Sequence, residues 1–399
     1  MSSSTNRALR AWLRRARMAS LLLADAPTGR EAAAVVEWFG AMQAQDLAST
    51  MWSLGLRTGT SREAVAHALA DGRIVRTWPM RGTLHLVPGR DARWMVRHFA
   101  QRSLQQAAGR RAALGFDEAV AERACEVLAG FLAESPVSRG DCLAALSEAG
   151  IDTGGQRGYH LLWYAAARGL VCVGPNRGRE QTFVLMDRWA PLGPAPDRPE
   201  ALALLAGRFV RSHGPVTVHD LARWADLTVT DARSAIVEAP GIVERLVDGQ
   251  RMLLTDELLE LVGPPPERSA SKAGSGAPAA SVRDPIGAPA ATPGGRRRLP
   301  ARALPGFDEF VLGYRDRSAQ LDRGHEQLVV PGGNGVFQPT LVLDGRVVGT
   351  WRRRELARRV VVEAIPFEEV GSSAKASLER ALVDFGRYLG LPCETRWRS

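Results

Sequence analysis

Apolar positions along the chain recur at two spacings, and the alternation between them sets the organisation. Leu9, Trp12, Leu13, Ala16, Ser20 and Leu23 follow a helical period, so Arg7–Leu23 reads as one amphipathic helix. A second helix is expected over Arg30–Met42. A short third spans Ser61–Asp71, its cap only partial because Ala64 stands where a capping box has Glu. Ile74–Val87 then reads as a hairpin broken by Pro79.

The same order returns twice, more regularly. Glu118–Leu132, Ser138–Ala149 and Gly155–Arg168 carry helical patterns, with Ser138 as an N-cap and Gly150 and Gly169 as stops. Val171–Met186 follows as two strands around Gly174–Gly178. Next come Glu200–Ser212, Val218–Ala225 and Thr230–Glu238, the last capped by Thr230. Ile242–Leu254 then forms a hairpin about Asp248-Gly249, a favoured two-residue turn. Three helices and a two-stranded wing are the winged form of the helix-turn-helix. From Gly263 to Arg302 the pattern stops. Pro, Gly, Ala and Ser dominate there, and a disordered linker is expected. Beyond it, strands are expected at Glu309–Tyr314, Val336–Leu343, Val347–Trp351 and Val360–Ile365, and a helix at Ser372–Gly390. The fold class is therefore α+β and predominantly α, with tandem winged-helix domains and a C-terminal α+β block. The expected units are 1–112, 113–190 and 191–262, a linker at 263–303, and the block 304–399.

Composition narrows the partners. Of 399 residues, 45% are hydrophobic and 24% charged, as in ordinary globular proteins. The net charge is +9, and only Lys272 and Lys375 are lysines among the 52 basic residues. An arginine-rich, basic, winged-helix chain points to duplex DNA, because the guanidinium fork grips phosphate in bidentate fashion. The arginine bias also fits a GC-rich genome. No apolar run is long enough to span a membrane, and the stretch at Met18–Ala24 is too short and broken for a signal-peptide core. The four cysteines (Cys125, Cys142, Cys172 and Cys393) form no CxxC, so the expected compartment is a reducing cytoplasm, at the nucleoid. The seven histidines are dispersed, and no metal or other cofactor is expected. Phosphate-loop, HExxH, GxSxG and dinucleotide signatures are missing.

One triplet remains. Gln43-Ala44-Gln45 follows the apolar face of Val36 and Phe39. Residues two apart share a face only in extended backbone, so both amides can serve one site only if the helix ends near Met42. Arg81, Thr83 and His85 alternate in the expected first hairpin and point to one face. In that reading Arg81 contacts phosphate and Thr83 and His85 line the site; the alternative gives them hairpin structure alone. Arg157 with Arg168, and Arg177 with Arg179, suit phosphate contacts around the second unit or solvated turns. Arg317 and Trp351 approach DNA, or else Asp308 and Arg317 form a structural ion pair.

With the triplet, Arg81-Gly82-Thr83-Leu84-His85, FDEFVLGYRDRS (Phe307–Ser318), NGVFQPTLV (Asn334–Val342) and DGRVVGTWRR (Asp344–Arg353) make the chain resemble the AlkZ-like family of bacterial DNA glycosylases. The likeness covers most of the chain except the linker. It implies a tandem winged-helix enzyme that excises bulky alkylated bases and unhooks interstrand crosslinks. It also places the chain in the Gln-x-Gln branch, with Ala44 as a small apolar middle residue, rather than the Gln-x-Asp branch. Gln43 and Gln45 are then the catalytic pair, orienting water and stabilising an oxocarbenium-like sugar. The implied protein is a monomeric, monofunctional enzyme acting on double-stranded DNA. Its setting is general repair or antibiotic self-resistance. The rival from another class is a non-catalytic winged-helix regulator.

Overall fold

The computed structural model describes residues 3–27, 29–178, 180–266, 298–333 and 335–398, with side chains from residue 6 onward. Most of the expected linker therefore lies outside the described residues. The described strands are β1 (Met42–Gln43), β2 (Ile74–Met80), β3 (Thr83–Pro88), β4 (Val137–Ser138), β5 (Val171–Val173), β6 (Thr182–Leu185), β7 (Ile242–Val247), β8 (Gln250–Thr255), β9 (Arg302–Leu304), β10 (Thr340–Leu343), β11 (Arg346–Glu355), β12 (Val360–Pro366) and β13 (Cys393–Trp397). Helices make up most of the rest, so the fold is α+β with helix predominant.

Local signals explain the helix starts. Ser138 accepts a hydrogen bond from the Asp141 amide, and Asp197 and Thr217 each close a reciprocal capping box, with Glu200 and Asp220. Helix Val229–Glu238 is capped by Thr228, not by Thr230, which lies inside it. Of the described helices that escaped the apolar pattern, Leu47–Thr58 and Ala92–Gln106 are the two longest. The first buries Ser49, Thr50, Ser53, Arg57 and Thr58, so its inward face is not an apolar stripe.

The hairpins of the first two expected units join edge to edge. Arg76 on β2 pairs with Val173 on β5, giving one six-stranded sheet in the order β1-β3-β2-β5-β6-β4. The N-terminal helix Ser3–Ser20 does not close the first unit by itself. Its stripe of Leu9, Trp12, Leu13 and Ala16 packs with Val247, Met252, Leu254 and Leu258 of the 242–262 segment.

The C-terminal block is a five-stranded sheet, β13-β12-β11-β10-β9, under helix Ser372–Leu389. Two expectations fail here. The segment expected as strand Glu309–Tyr314 contains the helix Glu309–Leu312. Asp308 caps it by accepting from the Phe310 amide, and all four helix residues are buried, so the apolar run carries no strand alternation. Trp351 cannot approach DNA. It is 1% exposed, stacks edge-on against Phe385 and donates from Nε1 to the Leu304 carbonyl.

Candidate active site

The site forms where a helix stops. Helix Ala32–Phe39 ends at Gly40, whose φ of 76° only glycine adopts without strain. The chain straightens into β1 and pairs antiparallel with β3, placing Gln43 opposite His85 and Met42 opposite Leu86. His85 in turn lies opposite Thr77 on β2. Cross-strand partners share a face, so Gln43, His85 and Thr77 form one row. Ala44 faces the other way and is fully buried, which explains a small apolar residue between two polar ones.

The triplet is held from every side. The Ala44 amide donates to the Leu84 carbonyl at 2.7 Å. The Ala44 carbonyl accepts from Nε and Nη2 of Arg76, at 3.2 and 2.9 Å. Burial pushes the Arg76 guanidinium down to about 10, with Asp46 opposing. Outward of β1, the Gln43 carbonyl accepts from the Thr50 hydroxyl at 2.7 Å.

The two glutamines are not equivalent. The Leu84 amide donates to Oε1 of Gln45 at 3.2 Å, so that oxygen acts as a stand-in for a backbone carbonyl at the strand end. Only an oxygen can accept there, which turns the Gln45 amide NH₂ toward the exposed side. By contrast, Oε1 of Gln43 is buried and has no hydrogen-bond partner among the described residues. Buried acceptors are rarely left unpaired, so this oxygen is poised for a hydrogen from outside the protein. The Oγ1 atoms of Thr77 and Thr83, Nε of Arg81 and Oγ of Ser103 are likewise buried and unpartnered.

Arg81 and Gly82 turn the hairpin with φ of 57° and 64°. Arg81 thus sits in the turn rather than in the strand, and its Nη2 meets Nε2 of His85 at 2.9 Å. Nδ1 of His85 lies 2.9 Å from the Thr83 carbonyl. A carbonyl only accepts and a guanidinium only donates, so His85 is neutral with its proton on Nδ1. Burial, with Arg81 beside it, holds the imidazole well below its ordinary range. His85 therefore aims Arg81 and is no proton donor near neutrality. The unfolded imidazole takes up a proton near 6.5 and the folded one resists it, so stability is full above that pH and falls as acid is added. The melting temperature is expected to be lower at about pH 5.5 than at about pH 7.5, with a smaller difference in His85→Gln. An unchanged difference in that variant would place the acid sensitivity elsewhere.

The other expected DNA contacts are not gathered with this row. Arg157 spends Nε, Nη1 and Nη2 on the Leu114 carbonyl, Asp152 and the Gly115 carbonyl, so its guanidinium fastens two loops. Arg177 is exposed and donates to the Pro136 carbonyl. Arg179 lies outside the described residues. Arg317 donates to the Val311 carbonyl and lies 5.2 Å from the Phe337 ring centre, so it does not pair with Asp308. Asp308 instead binds Arg57. Sequence reading missed Arg76, Thr50 and Glu309. A carboxylate directly before the apolar run Phe310–Leu312 was the available signal for Glu309.

Comparison with known proteins gives the chain's relatives. The family described as DNA glycosylase AlkZ-like matches residues 36–388. The chain is 25% identical over 323 residues to the interstrand DNA cross-link repair glycosylase of Streptomyces sahachiroi, covering 78% of this chain and 79% of that one. The solved structure of the Streptomyces sahachiroi DNA glycosylase AlkZ superposes over the full length of both chains, with a TM-score of 0.74 at 24% identity. The protein is a DNA glycosylase. It belongs to the AlkZ-like family.

Proposed function

We propose that the protein hydrolyses the N-glycosidic bond of alkylated purines, of the N7-alkylguanine type, in duplex DNA, and that it unhooks interstrand crosslinks. The unpartnered Oε1 of Gln43, buried in a row with His85, carries this reading. A glutamine is no general base at neutral pH. It can orient a water by accepting its hydrogen, which suffices when the leaving group is already activated. N7-alkylguanine is a cation, so breaking the C1′–N9 bond returns its electron pair to a positively charged ring. The water oxygen bonds to C1′ and its proton passes to solvent. Positioning and electrostatics then supply the rate. The exposed NH₂ of Gln45 and the guanidinium of Arg81 hold phosphate or base oxygen beside the reacting sugar. The helix-and-hairpin segments serve as winged-helix grips on the duplex, and the enzyme works as a monomer.

Lyase chemistry would need an amine for a Schiff base. Lys375 lies on the C-terminal helix against the Trp397 ring, and Lys272 lies outside the described residues. The expected product is therefore an intact strand with an abasic site. Purified protein incubated with 7-methylguanine duplex, or with nitrogen-mustard-crosslinked duplex, should release free base and leave alkali-labile sites. Sequence-selective binding with no base released would instead support the regulator.

A further inference from the structure

A single buried carboxylate joins the catalytic strand to two other parts of the molecule. Glu309 is 2% exposed. Its Oε2 accepts from Nε2 of His213 at 3.2 Å and from Nε1 of Trp224 at 3.1 Å. Its Oε1 accepts from the backbone amide of Gln43 at 3.4 Å. The indole of Trp224 and the backbone amide of Gln43 can only donate, so toward both of them Glu309 works as an acceptor. The partners are themselves immobilised. His213 stacks on Phe209 at 4.5 Å, meets Phe39 edge-on at 5.6 Å and has Nδ1 2.8 Å from the Ser212 hydroxyl. Trp224 lies against Phe209 at 5.0 Å.

β1 is a two-residue edge strand, and among the described residues its outer side has no neighbouring strand. An edge this short leaves its outward amide and carbonyl to be satisfied by other groups. Glu309 takes the amide of Gln43 and Thr50 takes the carbonyl. Both ends of the Gln43 backbone are thereby fixed, and with them the direction of its side chain. We propose that Glu309 is a positioning residue for hydrolysis: it clamps the Gln43 backbone so that the Gln43 amide oxygen points at the attacking water. This rests on Gln43 as the water-orienting residue. The carboxylate also acts on the neighbouring cation. Burial pulls the Arg81 guanidinium down, and Glu309 is the largest opposing influence.

The test is single-turnover release of 7-methylguanine alongside DNA affinity, for the native chain, Glu309→Gln, Trp224→Phe and Gln43→Ala. Glu309→Gln keeps the shape but sets an NH₂ among N–H donors. Its release rate should fall about 10²-fold, as expected for a displaced catalytic group, with affinity unchanged within about threefold. Trp224→Phe removes one bond to Glu309 and leaves the contact to Gln43. It should lose thermal stability yet release base within about threefold of the native rate. Should Glu309→Gln fail to fold, Glu309→Asp retains the charge and withdraws it from the Gln43 amide, and the same slowing is expected. A native rate in the folded Glu309 variant overturns the proposal. So does a Trp224→Phe variant as slow as Glu309→Gln. If Gln43→Ala is itself fully active, the assignment of Gln43 fails; if it is inactive while Glu309→Gln is not, only the role of Glu309 fails.

Discussion

Gln43→Ala is expected to bind duplex DNA as the native chain does and to release alkylated base roughly 10²- to 10³-fold more slowly, the usual cost of losing one preorganised polar group. The structure singles out this glutamine. Its amide oxygen is buried without a partner among the described residues, whereas the oxygen of Gln45 is already bound to the Leu84 amide. Losing Gln45 should therefore act on two things at once. It removes a donor from the open side of the site, and it leaves the Leu84 amide unpaired at the edge of β3. Gln43→Ala disturbs no side-chain hydrogen bond among the described residues, so it separates chemistry from structure more cleanly. The fall should appear in the turnover step and not in affinity, since phosphate contacts common to any duplex supply most of the binding.

The second large effect concerns stability. Arg57 is fully buried and meets Asp308 in a two-pronged pair, Nη1 to Oδ2 at 2.9 Å and Nη2 to Oδ1 at 3.1 Å. Ser53 also donates to Oδ2 at 2.7 Å. Burial alone would push the Asp308 carboxyl up, but Arg57 and the donors from Phe310 and Ser53 hold it below the usual carboxylate range. The pair fastens helix Leu47–Thr58, which carries Thr50 against Gln43, to the C-terminal block. Arg57→Met strands a buried anion, and Asp308→Leu strands a buried cation. Each should cost about 3–5 kcal/mol in urea unfolding, because the surviving charge is left uncompensated. The double variant Arg57→Met with Asp308→Leu should recover much of that loss, since matched apolar groups often replace a buried pair at little cost. Single variants as stable as the native chain would show that the pair contributes nothing.

What the sequence made legible follows from the range of the interactions. Caps, stops and turn residues act within a few positions, so Ser138, Gly150, Gly169 and Asp248-Gly249 mark their elements directly. The Gln-Ala-Gln spacing was informative for the same reason: the polar-apolar-polar order requires an extended segment, and β1 supplies it. Helix Leu47–Thr58 was hidden because its buried face carries hydroxyls and an arginine that serve distant partners. Glu309–Leu312 looked like a strand because Phe310, Val311 and Leu312 are apolar and bulky; its helical state depends on Asp308 and on burial all round. The supports of the site were not legible at all. Gln43 with Glu309 and Arg57 with Asp308 each span more than 250 positions, and no local pattern reports such contacts. Trp351 shows the converse error. An aromatic residue among arginines invites a DNA role, yet on alternating β11 it faces the core while Arg352 faces solvent.

In the proposed mechanism an uncharged glutamine pair decides what is cut while arginine supplies the grip. The most direct measurement is single-turnover release of 7-methylguanine from a methylated duplex by the native chain and by the Gln43→Ala, Gln45→Ala double variant, at matched DNA occupancy. Free base and intact abasic strands are expected from the native chain, and no base released by a double variant that still fills its DNA. Base released by the double variant at the native rate would contradict that mechanism.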